Sequence, residues 1–251
     1  MSSQEIFETV YRGRQGWLHH ASYMRMSKVM LALRALRLHG ISLAKSKVFD
    51  YGFGAGTFFR YCPNSAALYG VEQDAVVVEE VRAMLKKRGA GSVDLRQISI
   101  ANWKSHPLLA LKYDLFLCSH VLEHLESPIE FLMIANNCLS EGGFFLGIVP
   151  INERVKNPHH IQEINQSVIE RWALDAGMRL EYFKDNDHFT YWVQFFYTFD
   201  SGWQHRVAQA ISLSLGVLSK LCGEQIWFGI SERVFSLFSK PTQAMFILSK
   251  K

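Results

Sequence analysis

The sequence predicts an α/β domain: a mostly parallel sheet flanked by helices, with a helical insert before its last strand. Three observations carry this expectation. Short apolar runs alternate with helical segments through residues 46–184, which builds βαβ units and hence a parallel sheet. A glycine-rich turn, GFGAG at 52–56, follows the first apolar run directly; strand, glycine turn and helix form the ligand edge of a doubly wound sheet. Residues 185–243 then separate the last two apolar runs, too long a gap for a simple connection.

The elements follow in order. A basic segment ends in a helix over 22–40 that stops at Gly40. Strand-like runs stand at 47–51, 67–72, 93–98, 113–119, 144–149, 179–184 and 244–250. Between them lie a short helix near 57–62 and longer ones at 74–88, 128–140 and 167–177, the second ended by Gly89. In the gap, the aromatic run HFTYWVQFFYTF (188–199) precedes helices predicted at 203–223 and 231–239. The first has Asp200 or Ser201 as its cap; Ser231 caps the second, which stops before Pro241. Four regions result: 1–45 as an N-terminal helical cap, 46–184 as the core, 185–243 as the insert, and 244–251 as the closing strand.

Composition narrows the class. The 251 residues are 49% hydrophobic and 20% charged, a globular balance. Cys62, Cys118, Cys138 and Cys222 show no CxxC pairing and read as buried thiols of a reducing compartment. The N-terminus lacks the apolar core of a signal peptide, so the expected location is cytoplasmic. Residues 1–47 carry eight Lys/Arg against two Glu, and 203–251 carry six against two. The formal net charge of +4 therefore sits on basic flanks around an acidic centre, which suits an anionic substrate or surface. A dense basic stripe of the nucleic-acid-binding kind is missing.

The glycine turn excludes two ligands. A dinucleotide loop needs GxGxxG, but Thr57 stands where its third glycine belongs. A P-loop needs a GK[ST] ending, which is missing. VFDYGFGAGTF instead resembles the first motif of class I S-adenosylmethionine (SAM)-dependent methyltransferases. LYGVEQD, YDLFLCSHVLEHL and LSEGGFFLGIVP are similar to that family's second-strand, fourth-strand and fifth-strand motifs. The similarity spans about residues 46–183 and resumes at the final strand. It implies a Rossmann-like, seven-stranded sheet with an antiparallel last strand, SAM as methyl donor and S-adenosylhomocysteine as product.

The resemblance also implies roles. Gly52, Gly54 and Gly56 bare the backbone to the methionine part of SAM, and Asp50 organises the loop or meets the ammonium. Glu72 takes the ribose diol, for which an acceptor-only carboxylate is suited. Gln73 or Asp74 touches the adenine edge, Ser99 and Ile100 line the adenine, and Ser119 borders the cofactor. Tyr51 and Phe53 pack beside the turn or narrow the pocket.

On the acceptor side, His120 sits just past the fourth strand, where an imidazole can take a hydroxyl proton, and His160 is a second candidate. A divalent metal held by His120, Glu123, His124 and His159 is a weaker alternative, since HxxEH resembles the ExxEH of ubiquinone-pathway O-methyltransferases and small-RNA 2′-O-methyltransferases with His120 in place of the first Glu. VPIN stands where an amino-methylating enzyme of nucleic acids carries [DN]PP[FY]. The expected function is methylation of a hydroxyl on a small molecule: a sugar, a quinone-like ring or a lipid-linked metabolite. The alternatives are metal-dependent 2′-O-methylation of RNA, and a non-catalytic SAM-binding protein. The insert has three readings: a lid walled by aromatics, a homodimer interface, or an amphipathic patch over 203–240 touching a membrane.

Overall fold

A computed structural model describes residues 22–153, 159–191 and 202–251. The order is α1 (Tyr23–Leu38), β1 (Lys47–Tyr51), β2 (Ala67–Glu72), α2 (Ala75–Arg88), β3 (Ser92–Gln97), β4 (Tyr113–Ser119), α3 (Pro128–Cys138), β5 (Leu139–Pro150), α4 (Gln166–Asp175), β6 (Met178–Asn186), α5 (Gly202–Cys222), α6 (Glu224–Ser236) and β7 (Gln243–Lys250). All seven expected strands form one sheet, in the order β3-β2-β1-β4-β5-β7-β6. β1 to β5 pair in parallel, and β7 runs antiparallel to both β5 and β6.

The central strands are apolar because both their faces are covered. On one face Phe116 and Phe145 meet Phe131 and Leu132 of α3 and Trp172 of α4. On the other, Leu115, Leu146 and Ile247 meet Val77, Val81 and Leu85 of α2 and Val29, Ala32 and Leu36 of α1. Asp74 caps α2, its Oδ1 accepting from the Val76 N–H at 2.8 Å, and Asn165 caps α4 through the Val168 N–H. Gly147 in β5 admits the ring of Phe246 from β7: a Cβ there would stand 2.1 Å from Phe246 Cζ.

Helix α6 departs from expectation, and packing settles two further features of the insert. Helix α6 begins at Glu224, seven residues before Ser231, which lies mid-helix with its Oγ donating to the Trp227 carbonyl at 2.8 Å. Helix α5 turns its small residues inward: Ala208, Ser212, Gly216 and Ser219 are buried, while Trp203, Val207 and Leu218 are exposed. Of the aromatic run, Phe189 is fully buried against Tyr23 and Phe228, in a cluster joining α1, α5 and α6 rather than lining a pocket. Trp192, Phe195, Phe196, Tyr197 and Phe199, with Asp200 and Ser201, lie outside the described residues. Two smaller expectations also change. The helix near 57–62 is a single 3₁₀ turn, Phe59–Tyr61, and Cys222 is exposed whereas the other three thiols are buried.

Candidate functional site

Strand order reverses at β1, whose neighbours are β2 on one side and β4 on the other. In an open α/β sheet the ligand crevice lies outside the carboxyl ends of the strands at such a switch point. The candidate residues collect there: the glycine turn after β1, Glu72 at the end of β2, and Ser119–His120 at the end of β4.

The turn is held by its own backbone and by one carboxylate. Gly52 N–H donates to the Val71 carbonyl at 2.9 Å, and Gly56 N–H to the Phe53 carbonyl at 2.9 Å. Glu72 Oε2 accepts from Gly54 N–H at 2.8 Å and Oε1 from Gln73 N–H at 2.7 Å. All three glycines take positive φ (72°, 49° and 67°), which side-chain-bearing residues rarely adopt. Gly56 also has helix α2 pressed against it: a Cβ would stand 2.6 Å from Val81 Cγ1. Phe53 is buried against Phe59, and Tyr51 meets Phe131 edge-on, so both pack.

The carboxylates at this edge are set apart by burial. Glu72 is 3% exposed, and burial raises its pKa while the amides of Gly54, Gln73 and Asp74 pull it back. Asp50, equally buried, is pushed well above the usual carboxylate range by burial and by the Glu72 charge. Its Oδ1 has no hydrogen-bond partner. An orphaned buried oxygen beside a carboxylate with spare lone pairs fits a ligand that brings an ammonium and a diol, as SAM does. The other cofactor candidates lie around these two. Gln73 is exposed and its carbonyl accepts from Gln97 Nε2, and Ser119 is half-buried in register with Ile148. Ser99 is exposed just past β3; Ile100 opens the 3₁₀ turn Ile100–Ser105, its side chain outside the described set.

His120 is held in a strained backbone conformation, φ 56°, with its N–H on the Ile148 carbonyl at 2.9 Å. Its Nδ1 lies 3.2 Å from Glu123 Oε1, and its Nε2 lies 2.9 Å from Lys28 Nζ of α1. A lysine ammonium only donates, so Nε2 accepts from it and Nδ1 carries the proton given to Glu123. Burial and the Lys28 charge both lower the His120 pKa, which keeps the ring neutral. Burial pushes the fully buried Glu123 up, but the hydrogen bond and charge of His120 outweigh it and hold the carboxylate below its usual range. Burial lowers Lys28 to about 8, opposed by the charge of Asp187. Asp187, also fully buried, is raised by burial to about 6 while it accepts from Thr190 and Gln243. In the sequence Lys28 stands out only as one of the basic residues of 22–38, with Arg25, Arg34 and Arg37, suited to a phosphate or a membrane surface, and Asp187 not at all. The signal for Lys28 was a lysine flanked by Met26, Ser27, Val29 and Met30, all of which are buried.

The weaker alternative of a metal on His120, Glu123, His124 and His159 is not the set that comes together. His120 is engaged by Lys28 and Glu123, and His159 meets His124 through its carbonyl, which accepts from His124 Nδ1 at 3.0 Å. Instead Glu123, His124 and His160 bring ligand atoms within 4.8 Å of one another. Glu123 Oε2 has no hydrogen-bond partner, and His160 Nδ1 is held by Glu153 Oε2 at 2.6 Å. These residues fit a divalent cation, each imidazole being oriented by an outer oxygen.

The chain is similar to known methyltransferases in sequence and in fold. The chain is 25% identical over 114 residues to a ubiquinone biosynthesis O-methyltransferase of Histophilus somni, covering 44% of this chain and 48% of that one. To the protein of the same name from Acinetobacter baylyi it is 22% identical over 142 residues, or 56% and 59% of the two chains. It thus spans about half the length of these curated relatives. The crystal structure of a putative sarcosine dimethylglycine methyltransferase from Galdieria sulphuraria superposes with a TM-score of 0.63 at 13% identity, over 99% of this chain and 97% of that one. The family model described as "Methyltransferase domain" matches residues 20–196. This chain belongs to that family, the class I S-adenosylmethionine-dependent methyltransferases.

Proposed function

We propose that this chain methylates a hydroxyl of a small molecule, with His120 as the general base. The observation that carries the proposal is His120 itself, strained at the carboxyl end of β4 with Nδ1 committed to Glu123. SAM supplies a methyl group already activated on a sulfonium. Asp50 and Glu72 would hold it, with the glycine turn leaving backbone open beside it. The acceptor hydroxyl displaces the Lys28 ammonium from His120 Nε2 and gives its proton to that nitrogen. Glu123, already hydrogen-bonded to Nδ1, steadies the resulting imidazolium. Both curated relatives are named as O-methyltransferases, which favours a ring hydroxyl among the acceptor classes.

The test is release of S-adenosylhomocysteine with a panel of catechols, sugars and lipid-linked phenols. His120→Asn should lower kcat about 10²–10⁴-fold with calorimetric SAM affinity kept. SAM binding without turnover on any acceptor would favour the non-catalytic reading. A second reading follows from the orphaned Glu123 Oε2: Glu123, His124 and His160 would hold a divalent cation that acidifies the acceptor hydroxyl. It predicts metal in tag-free protein that His160→Ala removes; equal metal content in both proteins ends it.

A further inference from the structure

The outer face of the insert is apolar to an unusual degree. Helix α6 exposes Ile226, Ile230, Val234 and Leu237 at helical spacing, the last 84% accessible. Helix α5 adds Trp203, Val207, Leu218 and Leu221 (79% accessible), because its small residues face the protein. Leu38, 69% accessible at the end of α1, continues the surface. The two elements meet in a groove of about 470 Å³, lined by Arg34, Arg37 and Leu38 from α1 and by Ile226, Ile230 and Arg233 from α6. The contact is close: a Cβ on Gly229 would stand 3.3 Å from Arg34 Nη1. Exposed apolar area of this extent marks a binding surface.

Charge decides what binds there. Arg206, Lys220, Arg233 and Lys240 are exposed on the insert, beside Arg34 and Arg37. The only acidic residues in 203–240, Glu224 and Glu232, are both half-buried and engaged inward. Glu232 meets His188 at 2.6 Å, and Glu224 hydrogen-bonds Tyr61. Residues 9–49, which contain α1, hold no Asp or Glu. A second copy of the chain, docked by a two-fold axis, would set these arginines against each other with no carboxylate between them. An anionic bilayer meets both requirements, taking the apolar side chains below its headgroups and the basic ones at phosphate level. No helix among the described residues is long and apolar enough to cross a membrane, so the contact lies in the interface plane.

We propose that the outer face of α5 and α6, with the end of α1, docks this protein peripherally on an anionic lipid surface. The proposal does not depend on which acceptor is methylated. The full chain should co-sediment with vesicles of phosphatidylcholine mixed with phosphatidylglycerol, far more than with phosphatidylcholine alone. Added salt should weaken the binding, since screening shortens to about 3 Å at 1 M. Ile230→Glu with Leu237→Glu should abolish it, and Arg34→Ser should lower partitioning about fivefold. Far-UV circular dichroism and calorimetric SAM binding should be unchanged in these variants. If the double variant unfolds, Leu221→Glu serves in its place. No binding to the anionic vesicles at low salt would overturn the proposal, as would undiminished binding by the folded variants. A dimer in light scattering that the same substitutions dissolve would assign the face to a second copy instead.

Discussion

Replacing Gly56 by alanine should destabilise the fold by about 2–5 kcal/mol. A left-handed backbone costs a side-chain-bearing residue about 1–2 kcal/mol, and Gly56 sits at φ 67°. The new Cβ would also stand 2.6 Å from Val81 Cγ1 of α2, and overpacking of a filled core costs about 1–3 kcal/mol. A chain of this length loses about 2 °C of Tm per kcal/mol, so thermal melts should show a drop of about 4–10 °C. A double-mutant cycle isolates the steric part. Val81→Ala removes the methyls that collide, so the pair should lose about 1–2 kcal/mol less than the two single changes together. Gly52→Ala, whose Cβ meets only Val121 Cγ2 at 3.1 Å, should cost less than Gly56→Ala. Strict additivity with Val81→Ala would refute the packing argument. So would an unchanged Tm with weakened SAM binding, since that would put the ligand, not α2, against this glycine.

Three further outcomes follow. Glu72→Ala should weaken SAM binding by about 3 kcal/mol, or ~100-fold, in calorimetry; a Kd within a few-fold of wild type would remove Glu72 from the site. Lys28→Met removes a positive charge that disfavours the imidazolium of His120, so the ring should gain its proton at higher pH and the acidic limb of kcat/KM should move up. The two profiles should converge above about 8, where Lys28 itself is neutral; an unmoved limb would uncouple Lys28 from the base. Gly147→Ala drives a Cβ into the Phe246 ring and should cost about 3 kcal/mol or more, seen as a fall in urea midpoint that Phe246→Leu partly restores.

The sheet was legible because its evidence is local. Each strand declares itself as a short apolar run, and each glycine turn or helix stop lies within a few residues of the strand it follows. The glycine turn and Glu72 were legible for the same reason, being adjacent strand ends with motif-like spacing. What the sequence hid is what tertiary packing decides. Val207, Ile211, Leu215 and Leu218 stand at helical spacing on α5, but spacing alone does not say which side of a helix faces inward. The small residues Ala208, Ser212, Gly216 and Ser219 won the inner face, where a close approach to α1 places Ser22 Oγ 2.9 Å from Ser212 Oγ. The Lys28–His120 contact joins residues 92 positions apart, and the neighbours of Lys28 mark a lysine drawn inward without naming its partner. The metal candidates moved from His159 to His160 because one peptide's turn decides which imidazole faces Glu123.

Helix α1 ties these separate parts into one device. Its Val29, Ala32 and Leu36 lie on the sheet, Lys28 reaches His120, and Tyr23 hydrogen-bonds Ser231 of α6 inside the cluster that holds the insert. Arg34, Arg37 and Leu38 reach the outer groove from the same helix. Sixteen residues of one helix thus carry both the Lys28–His120 contact and one wall of the exposed apolar groove. The same helix therefore holds Lys28 half-buried, its ammonium 2.9 Å from His120 Nε2 and within the field of the Asp187 charge. A cation withdrawn from water keeps its proton only where such partners offset the loss of hydration.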